Sequence, residues 1–370
     1  MTVTKGLEGI VATTSSISSI IDGVLTYRGI NIDDLGEHAS YEEVVYLLWF
    51  GHLPKKAELA DFHKQLSASA AIPAELVAMI EASPKHVHPM TALRTFVSAL
   101  AMYDVEANDM SKEANIRKAI RLQAQLPTIV AAFSRLRQGL PVVAPLEDAT
   151  VAENFLYMLT GNRPDPIAIQ AMDKALVLHA DHELNASTFA GRVTVATLSD
   201  IYSGVVSAIG ALKGPLHGGA NEAVMAMLEE IGSEANVESY IQAKLDNKEK
   251  IMGFGHRVYK NGDPRAPHLQ KMSKELTAIT GNAAYYNMSI KIEEMVTGQK
   301  GLKPNVDFYS ASVYTSLEIP RDLFTPIFAI SRVSGWAAHI MEQYENNRLI
   351  RPRAEYTGPV NQKYVPIEKR

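Results

Sequence analysis

Three separated stretches carry residues able to move a proton beside a carbonyl. The first, Gly253-Phe254-Gly255-His256-Arg257-Val258-Tyr259-Lys260-Asn261-Gly262-Asp263-Pro264-Arg265, sets a histidine among cations on a glycine-rich backbone. Gly253 and Gly255 allow positive φ or close backbone approach, so His256 is expected on a tight turn and not on a regular helix face. Between Lys244 and Lys274, eight Lys or Arg residues face three acidic ones in a chain of net charge -5, which predicts a local anionic ligand. By composition alone the loop also reads as a solvated turn. It is no dinucleotide fingerprint, because the third glycine and a preceding strand are missing.

The second stretch, Lys213-Gly214-Pro215-Leu216-His217-Gly218-Gly219-Ala220-Asn221-Glu222, places His217 just before a helix expected to begin at 219–221. The positive helix end disfavours protonation, so the imidazole should stay neutral and donate to a carbonyl or enol oxygen. The plainer alternative is a histidine that caps the turn. The third, Asn305-Val306-Asp307-Phe308-Tyr309-Ser310, puts a carboxylate at a helix start, where Asp commonly serves only as an N-cap. With neutral imidazoles nearby, Asp307 gains a chemical use. A carboxylate base that removes a proton beside a carbonyl needs donors to stabilise the enolate that develops.

A different chemistry is offered by His179-Ala180-Asp181-His182-Glu183. His179 and His182, three residues apart on an expected helix, could share a face and hold a metal with an acid, as in a metal-dependent hydrolase. No His-Glu-x-x-His pattern supports it. Arg332, read as opening a helix, and Arg351 in a basic tail complete the set. Guanidinium groups pair bidentately with carboxylates, as a small dicarboxylate would require.

The elements that must position these residues are almost all helical. Ile10 to Gly29 alternates small polar and β-branched residues around Asp22-Gly23, predicting a hairpin. Ser40 with Glu43 predicts a capping box on the next helix, which Pro54 ends. Helices are then expected at 55–68, 73–82, 89–103, 111–138, 149–159, 166–180, 187–212, 220–231, 236–249, 266–280, 284–297, 307–317, 321–330 and 332–346, with proline or glycine, Pro127 included, punctuating the junctions. No βαβ alternation is present, so the fold is predicted to be mainly α with a short N-terminal β-hairpin. The Gly/Pro clusters at 213–219 and 302–320 read as hinges bracketing a small domain.

Composition narrows the classes. The 370 residues are 46% hydrophobic, enough to bury a large core. The absence of cysteine excludes disulfides, thiolate metal sites and a Cys nucleophile, and suits a cytoplasmic location. Met1 to Ser19 shows no signal-peptide layout. The best membrane candidate, Val193 to Leu212, is interrupted by Asp200, Ser, Thr and Gly, which suits a tightly packed internal helix, so no membrane is expected. The modest negative charge argues against nucleic acid.

Together, Gly253 to Arg265, Gly214 to Glu222, Asn305 to Ser310 and Asp181-His182-Glu183-Leu184-Asn185-Ala186-Ser187 stand in the order seen in citrate synthases. The chain resembles that family from Gly6 to about Pro352. The resemblance implies an acyltransferase, converting acyl to alkyl on transfer, that condenses acetyl-CoA with oxaloacetate and hydrolyses citryl-CoA to citrate and CoA. It implies Asp307 as base, with His217 donating to the thioester oxygen and His256 to the oxaloacetate carbonyl. His182, Arg265 and Arg332 would hold oxaloacetate, with Arg351 supplied across a homodimer. Arg257, Lys260 and Lys303 would meet CoA. No metal and no cofactor beyond the CoA thioester substrate is implied. The implied architecture is a large helical domain, 1–217 and 321–370, with a smaller helical domain, 218–320, closing over the site. The start of the chain resembles the short homodimeric type. The 2-methylcitrate synthases, which take propionyl-CoA, share these motifs.

Overall fold

The computed structural model describes residues 5–7 and 9–370, so the reading of Met1 to Ser19 falls partly on residues outside that set. Strands β1 (Ser18–Ile21) and β2 (Val24–Tyr27) form the expected hairpin, and a short β3 (Ile30–Asn31) adds to β2 in a three-stranded antiparallel sheet. Asp22 and Gly23 both have positive φ, 52° and 82°, which is what a two-residue mirror-image turn requires. Register pairs Ser18 with Tyr27 and Ile20 with Leu25.

The rest is helical. After α1 (Ile32–His38), which the sequence reading missed, come α2 (Tyr41–Phe50), α3 (Lys56–Ala68), α4 (Ala74–Ala82) and α5 (Pro89–Leu100). There follow α6 (Lys112–Arg137), α7 (Val151–Thr160), α8 (Pro166–His179), α9 (Ala186–Val195) and α10 (Ile201–Leu212). The chain continues with α11 (Ala220–Ile231), α12 (Val237–Asp246), α13 (Ala266–Thr280), α14 (Ala283–Lys300), α15 (Val306–Ser316) and α16 (Phe324–Glu345). The capping box on α2 forms as expected: the Ser40 N–H donates to Glu43 Oε2 at 2.8 Å.

Three helix boundaries differ from expectation, each for a local reason. The stretch 187–212 is two helices, because the chain turns through left-handed Leu198 and Asp200 then caps α10, its Oδ1 accepting from the Ser203 N–H at 3.0 Å. The pieces expected at 321–330 and 332–346 are one helix, so Arg332 lies within α16 and not at its start. Pro127 does not mark a junction. It sits buried inside α6, near Thr128, whose hydroxyl donates to Ala70 O at 2.7 Å.

Helix α16 is the axis of the fold. It is buried from Phe324 through Ile340 and packs on α2, α5, α6, α8, α9, α10 and α11. Helices α11 to α15 pack chiefly on one another, α13 against α15 most extensively, with α13 also reaching α8. The segment 302–320, read as a hinge, contains α15.

Gly335 sets how closely α16 approaches the turn after α8. A Cβ there would stand 2.3 Å from Asp181 Oδ1 and 2.5 Å from Ala180 O, and the Gly335 N–H donates to that carbonyl at 3.2 Å. Both obstacles are held in place, so Gly335→Ala should cost about 1–3 kcal/mol of overpacking. Urea denaturation should show a lower midpoint at unchanged slope.

Candidate active site

The turn after α8, the loops 213–219 and 247–265, the start of α15 and the middle of α16 surround a cavity of about 500 Å³. His182, His217, His256, Asp307, Arg265 and Arg332 all line it, and Arg257 stands among its wall residues. Side chains from positions 182 to 332 thus converge on one space.

His256 and Asp307 are held together by backbone pairing. Phe254 forms an antiparallel bridge with Pro304, the Gly255 N–H donates to Lys303 O at 2.9 Å, and the Asn305 N–H donates to Gly253 O at 2.9 Å. Gly253 has φ 80°, and a Cβ on it would stand 2.8 Å from Phe308 and Val224, so the positive φ and the close approach expected of this loop occur at one residue. At the turn, His256 Nδ1 accepts the backbone N–H groups of Val258 at 3.0 Å and Tyr259 at 3.3 Å. A nitrogen that accepts carries no proton. The neutral ring therefore bears its hydrogen on Nε2, which makes that atom a donor.

The same reasoning assigns His217 in the opposite sense. Its Nε2 accepts from the Ser187 N–H at 3.3 Å and lies 2.8 Å from Ser187 Oγ, so the proton belongs on Nδ1. Ser187 is fixed in turn by the Trp336 indole N–H at 3.1 Å and by Asn185 Oδ1 at 2.7 Å. Burial first, and the charge of Arg332 second, push the His217 pKa down to about 4. The imidazole is neutral as expected, but the expected cause, the start of α11, is not the main one. His256 is likewise lowered to about 4, by burial and then by Arg265.

Two guanidinium groups set the polarity of the cavity. Arg265, 2% exposed, is forked onto Asp263: Nε donates to Oδ1 at 2.9 Å and Nη2 to Oδ2 at 2.8 Å. Asp263 also accepts the Arg265 N–H and the Val306 N–H, so one carboxylate orients the arginine and ties down the first turn of α15. Arg332, 1% exposed, donates Nε to His179 O at 2.7 Å and lies 4.6 Å over the Phe328 ring. His182 Nε2 lies 3.0 Å from the Tyr259 hydroxyl, and its ring stands 5.2 Å from that of His256. Burial, Arg265 and Arg332 hold His182 well below its usual pKa.

Asp307 is not the cap of α15. That role belongs to Asn305, whose Oδ1 accepts the Asp307 N–H at 3.1 Å and whose amide donates to Gly255 O at 2.9 Å. The carboxylate is left for other work. Its Oδ1 is buried without a hydrogen-bond partner, and burial raises its pKa to about 7 against the opposing pull of Arg265 and Arg332. A base so poorly solvated, poised near neutrality, is suited to take a proton from carbon.

The shared helical face expected for His179 and His182 does not exist. Helix α8 ends at His179, whose Nδ1–H donates to Ala175 O at 2.7 Å while the ring packs edge-on to Phe328. Among the described residues no group of three or more His, Cys, Asp or Glu is arranged to hold a metal. Lys260, Lys303 and Arg351 do not line the cavity. Lys303 borders a separate recess with Glu293 and Tyr309, and Arg351 lies exposed beyond α16. Lys250, by contrast, does line the cavity and was not singled out in the sequence, although it belongs to the cationic run that drew attention. Asp263, Ser187, Phe328 and Tyr259 were also passed over; all but Phe328 lay inside a quoted motif.

The family model described as "Citrate synthase, C-terminal domain" matches residues 6–353. The chain is 66% identical over 371 residues to "Citrate synthase 2" of Bacillus subtilis, with all of both chains covered. It is 44% identical to "2-methylcitrate synthase 2" of Corynebacterium glutamicum, covering 100% of this chain and 98% of that one. A solved citrate synthase of the archaeon Thermoplasma acidophilum, in ternary complex with carboxymethyl coenzyme A and oxaloacetate, superposes with TM-score 0.94 at 36% identity, covering 99% of each chain.

The raised pKa of Asp307 ties activity and stability to pH in opposite directions. A carboxylate can take a proton from carbon only when ionised, so a rate that depends on this one should fall as pH drops through about 7. For stability, a folded-state pKa above the unfolded value means the folded chain holds that proton more tightly, so the group costs stability as pH rises past its unfolded pKa through about 7. Asp307→Asn should therefore lower turnover by roughly 10²–10⁴-fold. Above pH 8 the same variant should be more stable in urea than the parent, by on the order of 2–4 kcal/mol.

Proposed function

From the premise that the chain belongs to the citrate synthase family, we propose how its cavity carries out the reaction. The protein is an acyltransferase that condenses acetyl-CoA with oxaloacetate and hydrolyses the citryl thioester to citrate and CoA. The observation that carries the assignment of roles is the meeting of one desolvated carboxylate with two neutral imidazoles of opposite tautomer beside two buried arginines.

Asp307 takes a proton from the acetyl methyl group. As negative charge moves to the thioester oxygen, Nδ1–H of His217 donates to it and stabilises the enol. Nε2–H of His256 donates to the ketone oxygen of oxaloacetate, making its carbon electrophilic and receiving the alkoxide charge when the new C–C bond forms. The alkoxide takes up one proton, matched by the one Asp307 removed from the methyl group; water then cleaves the thioester, leaving the carboxylate of citrate, the CoA thiol and one proton released to solvent. Arg265 and Arg332 pair with the oxaloacetate carboxylates, with His182 beside them. Each donor aimed at developing charge in a dry site contributes about 3–4 kcal/mol. No metal is needed for this sequence of steps.

We further take 218–320 as a unit that closes on the remainder; the way α11 to α15 pack on one another supports this. It would bring Asp307, His256 and Arg265 towards His182, His217 and Arg332. A second subunit would supply Arg351, and the location is taken to be cytoplasmic; among the described residues no helix is long and apolar enough to cross a membrane. Arg257 and Lys250 at the cavity wall are the cations we assign to the CoA phosphates, ahead of Lys260 and Lys303.

Mixing the protein with oxaloacetate and acetyl-CoA in the presence of a thiol reagent should release CoA, and faster than with propionyl-CoA. Silence with both thioesters would overturn the assignment, and a preference for propionyl-CoA would move it to 2-methylcitrate synthesis. Lys250→Ala should raise the KM for acetyl-CoA severalfold, roughly the effect of losing one screened phosphate contact, while leaving that for oxaloacetate unchanged.

A further inference from the structure

The hairpin lies far in sequence from every residue assigned above, yet it grips the turn that carries His182. Ser18 Oγ donates to Asp181 Oδ2 and accepts the Glu183 N–H at 2.9 Å. One hydroxyl thus holds the residue before His182 by its side chain and the residue after it by its backbone. Glu183 is in the left-handed region, φ 51°, a conformation that a non-glycine residue keeps only when its surroundings fix it. Tyr27, the cross-strand partner of Ser18, holds the same turn from beside it: its hydroxyl donates to Asp181 O at 3.0 Å and accepts the Asp181 N–H at 3.3 Å. Ile20, two residues along the same face of β1, forms part of the cavity wall.

The grip is anchored on its far side. Arg192 Nη1 donates to His339 Nδ1 at 3.0 Å, so the His339 proton is on Nε2, which donates to Asp181 Oδ2 at 3.2 Å. Arg192 also donates to Glu342 at 2.7 Å and to Gln343 at 3.1 Å, and Glu342 Oε1 accepts the Ser16 N–H at 2.7 Å. The network therefore runs from α9 through α16 to both ends of the segment entering β1, and Asp181 and Tyr27 are fully buried within it.

We infer that Ser18 and Tyr27 form a positioning clamp, which fixes the His182 imidazole in the orientation that receives oxaloacetate. Neither residue lines the cavity; Ser18 acts through the Asp181 side chain and the Glu183 backbone, Tyr27 through the Asp181 backbone. The inference rests on the reading of His182 as an oxaloacetate contact. It makes the sheet, the only one among the described residues, part of the substrate site.

Ser18→Ala removes both bonds of one hydroxyl, Tyr27→Phe removes the two Asp181 bonds of the other together with its bond to Val177 O at 3.3 Å, and Ser18→Thr retains a hydroxyl at the first position. Steady-state kinetics should show the KM for oxaloacetate raised about tenfold in the first two variants, as the loss of buried hydrogen bonds implies, with kcat within about threefold. The KM for acetyl-CoA should not change, and Ser18→Thr should behave nearly as the parent. Unchanged oxaloacetate KM in both Ser18→Ala and Tyr27→Phe would overturn the clamp. So would an equal loss for both substrates that Ser18→Thr fails to rescue, because that pattern belongs to general loosening. His182→Ala is the control: if it leaves the oxaloacetate KM unaltered, the reading of His182 falls. If it raises that KM while the hairpin variants do not, only the clamp falls.

Discussion

Burying positive charge without filling its bonding capacity is the constraint from which the rest of this structure follows. Arg265 and Arg332 lie at 2% and 1% exposure, where an unpaired guanidinium is costly. The chain meets that cost differently for each. Arg265 is matched by a dedicated carboxylate, Asp263, which also fastens the first turn of α15. Arg332 has a carbonyl on Nε and an aromatic face beneath it, and it feels the Asp181 charge through space. In the function proposed above, an incoming dianion completes what the protein leaves unfinished.

The same two charges govern the acids and bases around them. Three imidazoles surround the cavity, and burial together with the guanidinium groups keeps each neutral, so they can donate hydrogen bonds without protonating the base. Asp307 feels the arginines in the opposite sense, since they favour its charge, but desolvation is the larger effect and leaves it near neutrality. Had the arginines been closer or the burial shallower, the carboxylate would be a weaker base. Backbone donors then settle direction: two at His256 Nδ1 and one at His217 Nε2 turn the remaining N–H of each ring to opposite ring positions.

Local signals in the sequence were readable where a residue's role is decided by its neighbours in the chain. The Gly253 and Gly255 loop, the Asp22-Gly23 turn and the Ser40/Glu43 box each form as their residues dictate. Asp200 carried the signal of a helix start too, but it was read only as an interruption of a long apolar run. What stayed hidden depends on distant partners. Nothing near Ser331 to Gly335 reveals that α16 runs unbroken through these small residues, because they are there to admit α8 and its following turn. The separation of Asp307 from its capping role required knowing that Asn305 points back to Gly255. The low His217 pKa comes first from burial by the folded chain and second from Arg332, more than a hundred positions away.

The hairpin register has a meaning beyond folding. Side chains alternate across a strand, so a one-position shift of β1 that brings Ile17 opposite Tyr27 swings the Ser18 hydroxyl to the other face, whereas the opposite shift brings Ser19 and keeps a hydroxyl there. A deletion of one residue between Ile21 and Val24 would therefore take the hydroxyl away from the 181–183 turn while leaving His182, Arg265 and Arg332 unchanged in sequence. Natural variation at this tip should accordingly run to substitution and avoid deletion.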